Sequence, residues 1–169
     1  LNDGGLSTQL PAASEKPDSY RYHPKEPLLT IGGDTRFGES GPLDQQSIER
    51  KSLTYTTAPL TEDLEVAGYP EVTLYGSTTG LDTDFVVVLT DVSADGTSRI
   101  LTRSLMRAKY YKTFEKAELL KPNQVYQLNI EMGPTGHVFK AGHRVRVSVS
   151  SSSYPAWIPN PNTGRDFSQ

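Results

Sequence analysis

The chain has 169 residues, no cysteine, 35% apolar and 22% charged residues, and a formal net charge of −3. This length suits one domain that buries its core without disulfides, and the lack of cysteine excludes thiol chemistry. Charges of both signs are spread along the sequence, which excludes the clustered basic face of a nucleic-acid module, and no apolar run is long enough to span a membrane.

The first part of the chain, residues 1–26, is predicted to be an extended arm or linker ahead of a domain at 27–169. Its prolines forbid a long helix, and residues 19–22 are the only strand-like piece. We expect the arm to lie on a neighbouring domain. The chain starts at Leu1 without a methionine, which suggests a fragment of a longer protein. The compartment stays open, with the cytoplasm favoured over secretion.

Short alternating stretches separated by Gly, Pro and Asp predict β-strands. The predicted strands are 52–57, 64–66, 72–75, 84–91, 98–111, 124–132 and 143–149. The near-continuous apolar run at 84–91 predicts a central strand covered on both faces. Residues 114–120 predict one short helix, which Pro122 ends. Together these elements predict an all-β antiparallel sandwich.

The sequence holds no complete nucleophile motif. Hydrolases of the α/β type place their serine in Gly-x-Ser-x-Gly between a strand and a helix. Residues 38–42 read Gly-Glu-Ser-Gly-Pro, so the last glycine is missing and Pro42 prevents a helix. A trypsin-like order needs a histidine and then an aspartate before Ser40, inside two β-barrels, and the only histidine upstream, His23, lies in the predicted arm. We therefore expect no catalytic residue in this chain.

The three histidines do not have the spacing of a zinc site. His137 and His143 flank a predicted hairpin turn and are therefore expected to come close together. We interpret both as polar turn residues, with His143 bonded to a loop carbonyl.

Four aspartates bracket the predicted central strand: Asp82, Asp84, Asp91 and Asp95. We interpret them as turn-capping acids, with Asp84 paired to an arginine. If this pair is buried, full hydrogen bonding has to compensate the cost of removing the two charges from water. A structural calcium held by these carboxylates is the alternative. We expect no metal and no cofactor.

Three aromatic residues suggest a different function, namely the stacking face of a carbohydrate-binding module. They are Tyr69, Tyr154 and Trp157. Because Tyr154 and Trp157 lie in a proline-rich segment, packing at a half-wet interface is favoured over sugar stacking.

Several segments, taken in order, resemble one family. They are GPLDQ at 41–45, LTYTTAPL at 53–60, VAG at 66–68, DTDF at 82–85, DV at 91–92, DG at 95–96, VFKAGHRVRV at 138–147, SSSSYP at 150–155 and NPNTG at 160–164. In this order and spacing they resemble the C-terminal domain of the X-Pro dipeptidyl-peptidase, cocaine esterase and α-amino-acid ester hydrolase family. The resemblance extends over nearly the whole chain from about residue 20.

The resemblance implies a jelly-roll β-sandwich of the galactose-binding-like type, mostly antiparallel and with little helix. It also implies a preceding α/β-hydrolase domain that carries a Ser-Asp-His triad, so that no triad residue lies in this chain. The implied role is to pack on that domain of the same polypeptide, help to wall its substrate pocket and support assembly. Such domains continue into a final strand after NPNTG, and we expect this chain to stop before it.

Loops at one end of a sandwich cluster over a rigid scaffold, so we expect the partner or pocket residues there. The candidates are Asp82, Asp84, Phe85, Tyr154, Trp157, Asn160 and Asn162. Phe85 or Tyr154 is expected near the substrate pocket, with a core position as the alternative for Phe85. The predicted partners are the hydrolase domain and a second copy in a homo-oligomer, without nucleic acid or membrane. A carbohydrate-binding module and an oligomerisation domain are the rival functions.

Overall fold

The computed structural model describes residues 3–10, 14–33 and 39–165. Within these ranges the chain forms β-strands, one short α-helix and one 3₁₀ turn. In chain order they are β1 (Asp3–Gly5), α1 (Gln46–Glu49), β2 (Leu53–Thr56), β3 (Leu64–Gly68), β4 (Glu71–Gly76), β5 (Asp84–Val92), β6 (Ser98–Arg107), the 3₁₀ turn (Ala108–Tyr110), β7 (Tyr126–Glu131), β8 (Thr135–Phe139) and β9 (Arg144–Ser150).

One layer is a five-stranded sheet in the order β1-β2-β9-β5-β6. The pairs β2–β9, β9–β5 and β5–β6 are antiparallel, and only the three-residue β1 joins its neighbour β2 in parallel. The predicted all-β, mostly antiparallel sandwich with little helix is confirmed. In the described part of the chain, no helix has the length and apolar character that crossing a bilayer requires.

The second layer is a long two-stranded structure, which we call the ribbon. β3 pairs antiparallel with β8, and β4 pairs antiparallel with β7. Only residues 69–70 separate β3 from β4, and only residues 132–134 separate β7 from β8. The Met132 amide donates to the Pro70 carbonyl oxygen at 2.8 Å and holds the two halves of the ribbon together at this bend.

The main core lies between the sheet and the ribbon. Alternate β5 residues Phe85, Val87 and Leu89 pack there with ribbon residues such as Leu128 and Ile130. All nine residues of β5 are buried, and β5 lies between β9 and β6. The prediction of a central strand covered on both faces is therefore confirmed.

The other face of β5 has its own small apolar cluster. Val86, Val88 and Ile100 form it, and Trp157 from the C-terminal segment packs against it together with Leu105. The apolar β5 sequence is thus explained by burial on both faces.

The prediction of a helix at 114–120 is wrong. This segment is too short to offset the cost of helix nucleation without a buried apolar face. Its apolar residues do not line one face, since Phe114 is exposed and Leu120 is buried. Instead, the Glu118 amide bonds to the Lys109 carbonyl in the 3₁₀ turn, and the Leu120 amide bonds to the Leu81 carbonyl before β5.

Residues 19–22, the strand-like piece of the predicted arm, form no strand and attach through their side chains. The Tyr20 hydroxyl lies 2.6 Å from the Ser151 hydroxyl. The Tyr22 hydroxyl donates to the Asn160 carbonyl oxygen at 2.9 Å. The arm is thereby anchored on the sandwich of its own chain.

The serine run at 150–153 is the other half of this anchor, and all four serines are buried. Ser152 Oγ accepts a bond from the Leu28 amide at 2.9 Å, and the Ser153 and Thr30 hydroxyls lie 2.8 Å apart. Burial of hydroxyls is tolerated because each of these has a partner. Short polar side chains at this position therefore fix residues 28–31 against the sheet.

Alkaline pH is expected to weaken this anchor. Burial, as the largest cause, raises the pKa of Tyr20, Tyr22 and Tyr55 to about 12. In the unfolded chain tyrosine ionises near pH ~10, so the stabilisation is complete below that pH and falls as the pH rises toward ~12. For Tyr20 alone the loss is about 3 kcal/mol. Urea unfolding followed along this pH range should show the decline, and Tyr20→Phe should make it shallower. An equally steep decline in Tyr20→Phe would contradict the assignment.

Candidate functional site

A buried polar network closes one end of the sandwich, where β5 begins. The Asn160 amide nitrogen Nδ2 donates to Asp82 Oδ2 at 2.9 Å and to Asp84 Oδ1 at 2.8 Å. Arg107 meets Asp84 through two bonds, Nε to Oδ1 at 2.8 Å and a terminal nitrogen to Oδ2 at 2.9 Å. Asp82 Oδ1 accepts the Lys109 backbone amide at 2.9 Å. The predicted pairing of Asp84 with an arginine is confirmed.

Strand register brings these groups together. Asp84 is the first residue of β5, and Arg107 is its direct partner at the end of β6. The cross-strand hydrogen bonds that Arg107 donates to Asp84 raise the pKa of Arg107 above its usual value. Each carboxylate oxygen of Asp82 and Asp84 accepts an N–H bond. The network therefore suits a structural role, because buried charges are tolerated when they are paired and hydrogen-bonded.

The segment that closes the network needs asparagine at two positions. Asn160 is buried, and its Oδ1 accepts the Asn162 backbone amide at 2.9 Å. Asn162 has a backbone φ of 61°, in the left-handed region that asparagine tolerates better than most residues. The Asn162 side-chain oxygen is buried without a hydrogen-bond partner among the described residues.

A glycine on the facing loop permits this close approach. A Cβ atom at Gly80 would lie 2.8 Å from the Asn162 carbonyl oxygen and 3.2 Å from the Asp82 carbonyl oxygen. Both contacts are with backbone, so the loops would have to separate.

Gly80→Ala is therefore expected to lower the free energy of unfolding by about 1–3 kcal/mol, the usual range for overpacking. Gly136→Ala is the matched control, because a Cβ there meets nothing within 4 Å. Urea titration of both variants measures the difference. Equal stabilities would show that the loops do not lie this close.

The predicted site residues fall into two groups. Asp82, Asp84 and Asn160 form the buried network, and Asn162 adjoins it. Phe85 is 6% exposed and belongs to the main core, which is the alternative that the sequence left open for it.

The stacking platform of three aromatic residues, which the sequence left as the less favoured alternative, is not assembled. Trp157 packs on Val86 and Val88, on the outer side of the five-stranded sheet. Tyr69 lies between β3 and β4 in the ribbon, which is the opposite layer. Interface or core packing therefore describes Trp157 better than sugar stacking.

Tyr154 belongs to an exposed apolar surface beside Trp157. Leu29, Tyr154 and Ile158 are 59%, 46% and 62% exposed, and we call these three residues the Tyr154 surface. Leu29 and Tyr154 are neighbours across an isolated bridge. The Thr30 amide bonds to the Tyr154 carbonyl, and the Tyr154 amide bonds to the Leu28 carbonyl. The surface thus combines exposed apolar side chains with a firmly bonded backbone.

His137 and His143 do come together, as predicted, through a shared carboxylate. His137 Nε2 lies 2.9 Å from Asp91 Oδ2, and His143 Nδ1 lies 2.8 Å from Asp91 Oδ1. The expectation that His143 bonds a loop carbonyl is corrected by this contact. This link joins β8 of the ribbon to β5 of the sheet, and the sequence alone did not indicate Asp91 as the partner.

No nucleophile–base pair forms in the described ranges. The hydrogen bonds of the three histidines there go to the Lys25 amide and to Asp91, and none goes to a serine. Ser40 is exposed, and its motif neighbour Gly38 lies outside the described residues. Nor do the described residues bring together three or more histidine, aspartate or glutamate side chains that could hold a metal ion.

A family of known domains matches this chain over residues 1–168, and it is described as the X-Pro dipeptidyl-peptidase C-terminal non-catalytic domain. The chain belongs to this family. The resemblance that the ordered segments predicted is confirmed, as is the fold shared with these domains.

Individual relatives of this C-terminal domain are hydrolases. Cocaine esterase from Rhodococcus sp. (strain MB1 Bresler) is 38% identical over 165 residues, which cover 95% of this chain and 29% of the esterase. An α-amino acid ester hydrolase structure superposes with a TM-score of 0.87 at 31% identity, covering 95% of this chain and 29% of that one. An aminopeptidase from a marine sediment Thaumarchaeota archaeon gives a TM-score of 0.85 at 33% identity, covering 96% and 30%.

The C-terminal domain thus spans less than a third of the length of these relatives. The final strand expected after NPNTG would follow the described residues, which end at 165, and it stays a prediction. The arm and domain boundary at residues 26 and 27 likewise stays a prediction, although the described arm residues bond extensively to the sandwich.

Proposed function

We propose that this chain is the accessory C-terminal domain of a serine hydrolase that acts on acyl or peptide bonds. In this proposal it packs on an α/β-hydrolase domain of the same polypeptide and helps to shape that domain's substrate pocket. The catalytic serine, aspartate and histidine belong to the attached domain, and the parent enzyme works through an acyl-enzyme intermediate.

The observation that carries the proposal is the relation between family and length. The chain matches the non-catalytic domain over residues 1–168, and it corresponds to 29% of an esterase that is about three times longer. The remainder of such a polypeptide is long enough for a hydrolase domain. A domain of this kind needs a surface on which the hydrolase domain can pack.

The side chains of the Tyr154 surface are of the kind that such a packing surface requires. An aromatic ring with a polar tip and two aliphatic side chains suit an interface within one chain, which is more polar than a core. Asp82, Asp84, Asn160 and Asn162 are proposed to hold the closing segment at 160–162 in place rather than to touch substrate, because their hydrogen bonds go to one another and to neighbouring groups of this domain. We assign the predicted pocket contact to Tyr154 and not to Phe85, since Phe85 is buried in the core.

To test whether catalysis belongs to the attached domain, the separate chain is compared with the full-length protein on an activated ester such as p-nitrophenyl butyrate. The separate chain should show no turnover above buffer, and Ser40→Ala should leave it unchanged. The full-length protein should hydrolyse the ester. Turnover by the separate chain that disappears in Ser40→Ala would overturn the proposal.

A further inference from the structure

The outer face of the ribbon carries side chains that neither the core nor the Tyr154 surface uses. In β4 and β7 the apolar residues Val72, Leu74, Leu128 and Ile130 point to the core, so the residues between them point outward. These outward residues are Glu71, Thr73 and Tyr75 on β4, and Gln127, Asn129 and Glu131 on β7. We call them the ribbon face.

Hydrogen bonds across the two strands and along β7 connect the side chains of the ribbon face. The Tyr75 hydroxyl donates to Gln127 Oε1 at 3.3 Å, and Gln127 Nε2 donates to Asn129 Oδ1 at 3.3 Å. The Thr73 hydroxyl donates to the same Asn129 oxygen at 3.4 Å. Two amides, a phenol and an alcohol therefore lie side by side, and each keeps donor or acceptor capacity for a ligand.

An exposed ring stands beside these amides. Tyr75 is 69% exposed, near the end of β4. Val125, which is 61% exposed, lies diagonally across from it, two residues before its direct partner Gln127. An aromatic face next to fixed amide groups is complementary to a sugar ring, whose C–H face is apolar and whose rim carries hydroxyl groups.

The charges on the ribbon face select among ligands. Glu71 and Glu131 are direct register partners, and like charges that face each other across two strands are mildly destabilising. No lysine or arginine stands among the six outward residues. Phosphates and anionic polymers are therefore disfavoured, whereas neutral hydroxyl groups can donate to both carboxylates.

The same carboxylates argue against a second protein surface as the occupant. The buried centre of a protein interface is depleted in charged residues, and here two facing glutamates lie next to the amides. A wet, hydroxyl-rich ligand leaves such groups hydrated or hydrogen-bonded.

We propose that the ribbon face binds a neutral saccharide. The Tyr75 ring stacks on one sugar, Gln127 and Asn129 bond to its hydroxyl groups, and Glu71 and Glu131 accept hydroxyl protons from the adjoining part of the ligand. This site is distinct from Trp157 and from the Tyr154 surface, which lie on the other layer, so it does not depend on the proposed docking.

Native affinity electrophoresis of the full-length protein tests the proposal. The gels contain a soluble neutral polysaccharide (galactomannan, dextran or β-glucan), and alginate serves as the anionic comparison. We expect at least one neutral polymer to slow migration. Tyr75→Ala should weaken this binding about tenfold, whereas Tyr75→Phe should retain most of it because the ring remains. Gln127→Ala gives a second, independent loss if Tyr75→Ala does not fold.

Phe114→Ala is the matched control, since Phe114 is 77% exposed but lies outside the ribbon. It should migrate like the unchanged protein in every gel. The proposal is overturned if no neutral polymer slows the protein, if only alginate does, or if Tyr75→Ala and Gln127→Ala fold and bind as before. A change of oligomeric state in Tyr75→Ala, without a change in migration caused by polysaccharide, would show that a protein covers this face instead.

Discussion

Asp84→Ala is expected to lower the free energy of unfolding by about 3 kcal/mol. Asp84 is 1% exposed and accepts two bonds from Arg107 and one from Asn160. Its removal leaves a guanidinium and an amide without these acceptors, and breaking one partner out of a buried ion pair typically costs about 3–5 kcal/mol. The lower end applies because Arg107 keeps partial contact with water.

Urea unfolding measures this loss, and the fluorescence of Trp157 reports it, because this is the single tryptophan of the chain. Asp84→Asn should lose less, since an amide oxygen still accepts from Arg107. Glu65→Ala is the control, since Glu65 is an exposed carboxylate on β3. A stability of Asp84→Ala within about 0.5 kcal/mol of the unchanged protein, the usual surface value, would refute a structural role for the network.

The second large effect is expected in the full-length protein when Leu29→Ala and Tyr154→Ala are combined. Each of these side chains contributes roughly 1.5–3 kcal/mol if an interface covers it fully. Their loss should separate the unfolding of the two domains, so that calorimetry shows two transitions in place of one. Since small displacements of a pocket wall misplace substrate, kcat/KM on esters should fall about tenfold or more.

Phe114→Ala again provides the control, because it removes an even more exposed ring that is not part of the Tyr154 surface. It should leave both the unfolding profile and kcat/KM unchanged. If the double variant behaves in the same way as Phe114→Ala, then the Tyr154 surface contacts neither the hydrolase domain nor its pocket.

Much of the fold could be predicted from the sequence, because the residues that local patterns assign to a buried face are the residues that pack in the core. The alternation of residues 124–132 predicted a strand, and β7 lies within this range with Leu128 and Ile130 buried. The valines of β9 follow the same rule. Where one face of a strand is buried, apolar residues recur at every second position, and this alternation identifies the strand in the sequence.

The elements that were missed depend on distant partners. β1 contains two glycines and exists only through its pairing with β2. β8 contains Gly136 and follows a proline, so its strand signal is weak until β3 pairs with it. No local pattern reports such a pairing.

The candidate site was predictable in part. The short polar residues of 82–84 and 160–162 were expected in one loop cluster, and Asn160 does bond to both Asp82 and Asp84. Their burial was not foreseen, because hydrophilic loop sequences do not show that all their donors and acceptors will be satisfied internally. The burial of the serine run at 150–153 went unnoticed for the same reason.

Photo-crosslinking in the full-length protein tests the central claim most directly. p-Benzoyl-L-phenylalanine is placed at position 154 instead of Tyr154, and the products of irradiation are mapped by mass spectrometry. The account predicts crosslinks within the same polypeptide, to the segment that contains the Gly-x-Ser-x-Gly serine, and none from the same group placed at Phe114. Crosslinks only to a second chain, or none at all from a folded and active protein, would contradict it.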